Sequence, residues 1–354
     1  MKFFKSIFFY NTSIRVAALG NSIDVVEYFL SLPEVEIKSR LFRLCEKLER
    51  VSLPEGITSI PKNLFGNCVS LEYVSIPSTV TTICESAFSW CKSLPYILIP
   101  PSVTEIQRYG FFVCESLNHL TIPSSIRIIN DYVFEGCKSL KQIIIPPNVE
   151  SICYESFKYC ESLIKIVIPS KVKSIGVSAF EKCKSLIEVT IPSSVETIGG
   201  CAFNECASLE NITIPLSVTT IYPSVFQMCK SLKQIIIPPS ITAIMEYSFA
   251  YCSSLKSVSI PSSVTEIGFC AFSECTSLVQ ISLPSSLQII MFSAFEKCSS
   301  LKEITIPSCV IEIGDECFKD CTSLTHVSIP PSVKKMGENV FMNCPKLDEI
   351  PSIK

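Results

Sequence analysis

Hydrophobic and polar positions recur along this chain with a fixed period of 23 residues. A Phe, a Cys and a Leu, each three residues after the last, occur together in fourteen registers, from Phe42, Cys45 and Leu48 to residues 341, 344 and 347. No insertion or deletion interrupts the series. A fixed period in the twenties predicts a solenoid, in which each repeat buries its apolar side only against its neighbours.

The residues after each repeated Leu alternate between two faces. In the repeat at 140–146, Ile143 and Ile145 point one way and Gln142 and Ile144 the other, which is the period-2 pattern of a strand. Pro146 then ends the strand, because proline lacks the N–H that a sheet ladder needs. The pattern therefore predicts one short parallel strand per repeat.

The remaining part of each repeat predicts tight turns that bring the chain back to the start of the next strand. A small-polar turn leads to a second extended piece, as at 195–198, and an Ala-Phe-x-x-Cys segment predicts a single helical or 3₁₀ turn with Phe and Cys on one face. Glycine follows the extended piece in five repeats, at 176, 199, 268, 314 and 337. Its position is typical of a corner with unusual backbone angles.

Residues 1–40 lie outside the repeat register. Apolar residues at 14, 17 and 18 and at 23, 26, 29 and 30 keep helical spacing, and Gly20, Asn21 and Ser22 form a turn between two short helices. The segments 12–20 (TSIRVAALG) and 25–30 (VVEYFL) resemble an ankyrin repeat, although Ser13 and Arg15 replace its Pro and His. We predict a helical cap over 1–40 and a solenoid of about 13 repeats over 41–354; a separate ankyrin-type binding module is the alternative.

Composition narrows the classes of function. Apolar residues make up 47% of the 354 residues, yet no run approaches the roughly 18 that a membrane helix needs. The formal charge of −3 provides no excess of positive charge for binding phosphate groups, so no nucleic acid partner is expected. The apolar run after Lys5 is too short for a secretory signal, which favours a cytoplasmic location.

The cysteines and histidines predict packing rather than chemistry. Fourteen of the twenty Cys occupy one position per repeat, which indicates reduced, buried thiols, and the other six form no zinc-type C-x-x-C pair. The two His, His119 and His326, stand nine repeats apart, about 43 Å at the spacing of strands. The sequence contains no G-x-x-x-x-G-K-[ST] phosphate-binding loop, no H-E-x-x-H zinc-binding motif and no G-x-S-x-G motif of a nucleophilic serine. We therefore expect no enzyme activity, no metal site and no cofactor.

The whole repeat matches a known pattern. The consensus L-x-x-I-x-I-P-x-S-V-x-x-I-G-x-x-A-F-x-x-C-x-S resembles the BspA-type leucine-rich repeat over residues 41–354. The resemblance implies a right-handed solenoid with a parallel sheet on its concave side and short extended or 3₁₀ segments on its convex side. It also implies kinship with surface antigens and adhesion proteins of bacteria and parasitic protists, so a cell-surface or secreted location is the alternative to a cytoplasmic one.

The outward strand positions are the candidate binding residues. They are the second and fourth positions after each repeated Leu, and most are polar. Between the second and sixth turns they form an aromatic and aliphatic group, which we call the sheet patch: Tyr73, Tyr96, Leu98, His119, Ile144 and Val167. Such a group is typical of a protein-binding hot spot, although strand propensity alone also favours these residue types.

The sequence thus predicts a non-enzymatic scaffold that binds a protein partner through its sheet. Two alternatives stay open: an adhesin or antigen that binds host or matrix proteins, and a structural spacer without a specific ligand. Trp90, the only tryptophan, is interpreted as a partly buried plug at a solenoid corner rather than as a binding anchor.

Overall fold

The computed structural model describes the backbone of residues 2–32 and 35–347, and the side chains from residue 11 onward. The chain divides into two compact units, Met1–Lys171 and Val172–Lys354. Both units are solenoids of short parallel strands that pair with strands 23 residues away. The predicted solenoid is therefore confirmed in each unit.

Two helices open the first unit: α1 (Lys2–Leu19) and α2 (Ile23–Leu30). Residues 20–22 form the turn between them, in which Asn21 adopts the left-handed conformation (φ 57°). The two predicted helices are thus present, and α1 begins well before the ankyrin-like segment. The boundary between cap and solenoid at residue 40 stays a prediction.

The helical hairpin supplies hydrogen bonds to the first solenoid turn. In later turns the carbonyl group after the repeated Phe accepts a bond from the preceding turn, as when the Trp90 N–H donates to the Phe112 carbonyl oxygen (2.7 Å). The equivalent carbonyl of the first turn, that of Arg43, accepts a bond from Nη2 of Arg15 (3.2 Å). Asn21 Oδ1 accepts a bond from the Glu49 N–H (3.2 Å). Side chains of the hairpin thus replace backbone partners that a preceding turn would provide.

The strands of the first unit alternate between two parallel ladders, because every repeat contributes a first strand and a second strand. They are β1 (Arg50–Ser52), β2 (Ser59–Ile60), β3 (Tyr73–Ser75), β4 (Thr82–Ile83), β5 (Tyr96–Ile97), β6 (Glu105–Ile106), β7 (His119–Leu120), β8 (Ile128–Ile129), β9 (Ser151–Ile152) and β10 (Lys165–Val167). In the repeat between β7 and β10, the first strand is reduced to a single bridge from Gln142 to Lys165.

The second unit repeats the same alternation, beginning with a second strand, except that the first strand of one repeat is reduced to a single bridge from Thr213 to Ile236. Its strands are β11 (Ser174–Ile175), β12 (Glu188–Thr190), β13 (Thr197–Ile198), β14 (Asn211–Ile212), β15 (Thr220–Ile221), β16 (Ala243–Ile244), β17 (Ser257–Ser259), β18 (Glu266–Ile267), β19 (Gln280–Ser282), β20 (Ile289–Ile290), β21 (Glu303–Thr305), β22 (Glu312–Ile313), β23 (His326–Ser328) and β24 (Lys335–Met336).

The segment around Phe and Cys returns the chain by tight turns. Within it the Cys91 N–H donates to the Phe88 carbonyl oxygen (3.2 Å), the three-residue bond that the sequence predicts. Ser86 and Trp90 adopt positive φ angles (58° and 65°), and the equivalent residues of the other repeats do the same. This alternating conformation lets the Phe88 N–H donate to Gly110 of the next turn (2.9 Å). The left-handed residues are not visible in the sequence, since few of them are glycine or asparagine.

The core consists of columns of identical side chains. The repeated Phe rings stack face to face, with centroids 5.2 Å apart for Phe249 and Phe272 and 5.9 Å apart for Phe203 and Phe226. After the first turn, thiols of the repeated Cys column donate to the carbonyl of the Phe one turn earlier, as Cys206 Sγ does to Phe180 O at 3.2 Å. The repeated Cys therefore fills core volume and also satisfies a backbone carbonyl.

Four of the five corner glycines serve close approach, and none of the five has a positive φ angle, so the predicted unusual backbone angles are wrong. Only Gly56 and Gly136 have positive φ angles among the glycines, and neither belongs to the five corner positions. A Cβ atom on Gly199 would lie 2.5 Å from the Val177 N of the previous turn. The glycines at 268, 314 and 337 meet the backbone of the previous turn in the same way. These residues let neighbouring turns approach each other.

Candidate functional site

The exposed face of the first strands is the candidate site, and the alternation of side chains creates it. Inward residues such as Ile97 and Leu120 are buried, whereas the residues between them face solvent. Most of the outward positions are Ser, Thr, Gln or charged residues, as the sequence predicts. The exceptions in the first unit are the members of the sheet patch.

The aliphatic members of the sheet patch are the most exposed. Ile144 is 82% exposed, Leu98 75% and Val167 54%. Isolated exposed aliphatic residues are common on protein surfaces, but here three of them share one column of a single face. The sheet patch thus contains a column of exposed aliphatic side chains on an otherwise polar face.

The aromatic members lie at the other end of the sheet patch. Tyr96 and His119 are direct partners in the parallel ladder of β5 and β7, and both side chains are exposed. Tyr73, one turn earlier, is only half-buried, and the guanidinium group of Arg50 lies 5.0 Å from its ring centroid. The structure therefore places Tyr96, Leu98 and His119 together, while Tyr73 interacts with Arg50 at the margin.

A shallow groove lies at the aliphatic end of the sheet patch. It encloses about 460 Å³, and it is lined by Gln142, Ile143, Ile144, Ile145, Pro147, Lys165, Val167, Pro169 and Ser170. Ile144 and Val167 share this groove because Gln142 and Lys165 pair in register. Lys165 also lines the groove, and Lys141 is exposed on the same turn as Ile144. The groove thus combines an apolar floor with a cationic margin.

Two further exposed apolar features lie outside the sheet patch, and the first of them occupies an outward strand position that the alternation predicts. Ile236 is 78% exposed in the second unit, and its segment 229–239 (CKSLKQIIIPP) is identical to 137–147, which contains Ile144.

The second feature is an aromatic cluster on the turn segments of the first unit. Trp90 packs against Phe112 (5.8 Å between centroids), Phe112 against Tyr109, and Tyr109 stacks on Tyr132 (4.5 Å). Trp90 is 37% exposed, and Nζ of Lys92 lies 5.1 Å from its ring. Trp90 is therefore the outer member of a surface cluster as well as a partly buried residue.

The repeated thiols lie in an environment unsuited to thiolate chemistry. Burial raises the pKa of Cys114 and of Cys275 to about 12, and the bond to the neighbouring turn lowers it only partly. At the solenoid entrance, burial raises the pKa of Cys45 to about 11, with an opposing effect from the charge of Arg15. A thiol must lose its proton to act as a nucleophile or metal ligand. Among the described residues, no group of three or more His, Cys, Asp or Glu converges as a metal site would require.

Solved structures share this architecture. A leucine-rich repeat protein from Bacteroides ovatus is 31% identical, with a TM-score of 0.81, covering 88% of this chain and 81% of its own. A leucine-rich cell surface protein from Faecalibacterium prausnitzii is 30% identical with the same coverage and a TM-score of 0.55. A leucine-rich repeat protein from Eubacterium ventriosum, 21% identical over 87% of each chain (TM-score 0.51), shares the fold. Among curated proteins, none matches this sequence.

No helix in the described part of the chain is long and apolar enough to cross a bilayer. The model of the BspA-type leucine-rich repeat region matches residues 35–164, 151–268 and 242–353. With the 23-residue solenoid and the Bacteroides ovatus relative, this match shows that the chain belongs to the BspA-type leucine-rich repeat proteins.

Proposed function

We propose that this protein is a non-enzymatic interaction scaffold that binds a protein partner through the sheet patch of its first unit. The observation that carries the proposal is the exposure of Leu98, Ile144 and Val167 on a sheet face that is otherwise polar. Fully burying one aliphatic side chain contributes about 1.5–3 kcal/mol, so three of them in one column could anchor a partner. The exposed Tyr96 and His119 extend the same surface.

The proposal is tested by capture of partners on immobilised full-length protein. The double variant Leu98→Ser/Ile144→Ser removes the two most exposed side chains of the sheet patch. Ile236→Ser is the matched control, because Ile236 is also exposed and lies in an identical 11-residue segment. Partners retained by the wild type and the control but lost from the double variant support the proposal. Equal retention by all three proteins rejects this assignment of the site.

A role at the cell surface is the second candidate. It is favoured by the Faecalibacterium prausnitzii relative, which is described as a cell surface protein and is 30% identical. In that case the same sheet patch would bind a host or matrix protein. Protease treatment of intact cells separates the two candidates, since only a surface protein is cleaved from outside. A protected chain, cleaved only after lysis, would support the intracellular scaffold.

A further inference from the structure

The sheet patch has a geometry that discriminates between classes of partner, and this inference rests on the function proposed above. We propose that its occupant is an acidic amphipathic α-helix that lies along the direction in which the turns stack.

The spacing of the anchors favours a helix over an extended chain. Neighbouring turns are about 4.8 Å apart, so Ile144 lies about 10 Å and Val167 about 14 Å from Leu98 along the stacking direction. Along a helix, residues i+7 and i+10 lie about 10.5 Å and 15 Å from residue i, and i+11 lies on the same face. In an extended chain, residues on one face recur about every 6.7 Å, which places none opposite Ile144.

The intervening turn leaves room for such a helix. Thr121 occupies the same column between Leu98 and Ile144, and it is a smaller, polar side chain. The side chain at Thr121 is therefore shorter than those of Leu98 and Ile144 on either side of it. A helix whose apolar stripe skips about one turn between anchors would contact Leu98 and Ile144 without a clash at Thr121.

Charge determines which helix fits. Lys165 lines the groove together with Ile144 and Val167. Lys141 is exposed three residues before Ile144, and Lys171 is exposed four residues after Val167, where its Nζ donates to the Asn148 side-chain oxygen (2.9 Å). Within the first unit, the strand segments 95–98, 118–121, 141–144 and 164–167 contain no Asp or Glu. A partner with carboxylates flanking its apolar stripe would gain both attraction and specificity there, whereas a basic helix would be repelled.

The test begins with selection from a random phage-displayed library of peptides about 20 residues long, which span roughly 30 Å as a helix. The immobilised bait is the full-length protein. Enriched peptides are synthesised, and their affinities are measured by fluorescence anisotropy. We expect apolar residues at i, i+7 and i+10 or i+11, an excess of Asp and Glu, and about tenfold weaker binding to Ile144→Ser. Ile236→Ser should bind as the wild type does.

Two further measurements test the helical conformation of the partner and its charge separately. Proline at the centre of a bound peptide should abolish binding, because it breaks a helix, whereas proline at the first position should not. Lys141→Glu should weaken binding, and added salt should remove that difference.

The outcomes are distinguishable. Peptides that depend on Ile144 but alternate with period 2, or tolerate a central proline, overturn the helix while leaving the sheet patch as a binding site. Basic peptides overturn the charge assignment. A selection in which no peptide depends on Ile144 overturns the helix proposal and removes the sheet patch as well.

Discussion

Replacing Gly199 with Ala tests how closely neighbouring turns approach in the second unit. The added Cβ atom would lie 2.5 Å from Val177 N and 2.8 Å from Val177 Cα. Ordinary contacts between such atoms are about 3.5 Å, so the two backbones must separate by roughly 1 Å. The Gly199 N–H donates to the Ile175 carbonyl oxygen at 2.9 Å, and a separation of that size breaks the bond.

The expected cost combines two destabilising contributions with one stabilising contribution. Overpacking against a backbone costs about 1–3 kcal/mol, and the lost hydrogen bond adds about 1 kcal/mol. Alanine restricts the unfolded chain and returns about 0.4–1 kcal/mol, because Gly199 does not require a positive φ angle. We expect Gly199→Ala to lower the free energy of unfolding by about 2–3 kcal/mol.

The adjacent glycine provides the control. A Cβ atom on Gly200 would approach only Pro223, with its carbonyl oxygen at 3.2 Å. We therefore expect Gly200→Ala to change stability by less than about 1 kcal/mol. Urea unfolding followed by far-ultraviolet circular dichroism compares the two variants with the wild type. Equal stability of the two variants would show that close approach is not the reason for glycine at this corner.

Three other predictions concern the cap and the buried thiols. Arg15→Ala should destabilise the first turn by about 1 kcal/mol, because the Arg43 carbonyl loses its hydrogen-bond donor. Amide hydrogen exchange in the first turn should then increase, and unchanged exchange would exclude a capping role for Arg15. Cys206→Ala should lower the free energy of unfolding in urea by about 1–2 kcal/mol, because it leaves a cavity beside Phe180. Cys309 is exposed, so Cys309→Ala should be nearly neutral. Equal effects of the two substitutions would contradict the role of the repeated Cys in the core. Because burial raises the thiol pKa values in the folded state, their contribution to stability is complete below about pH 9 and declines as the pH rises towards the folded values. The urea midpoint should therefore fall between pH 9 and 11 in reducing buffer, and it should fall less in a variant with several buried Cys replaced by Val.

The local pattern was sufficient to predict the repeat and its core. Phe, Cys and Leu three residues apart, followed by alternation and a proline, specify a strand, its end and a turn, because these features depend on neighbours in sequence. Identical repeats then stack in register without further information, which is why the burial of Ile97 and Leu120 follows from the sequence. The outward positions of Tyr96, Leu98 and Ile144 follow from the same alternation.

Only the tertiary structure decided the features that depend on how two turns meet. The role of Gly199 is set by the distance to the backbone of the previous turn, and the sequence does not contain that distance. The same applies to Arg15, whose side chain reaches a carbonyl 28 residues away. The sequence places Ile144 and Val167 on one face, but the shared groove and the cation beside it appear only when the turns are stacked. Period and alternation are local properties of the chain, whereas close approach, capping and surface shape arise between turns.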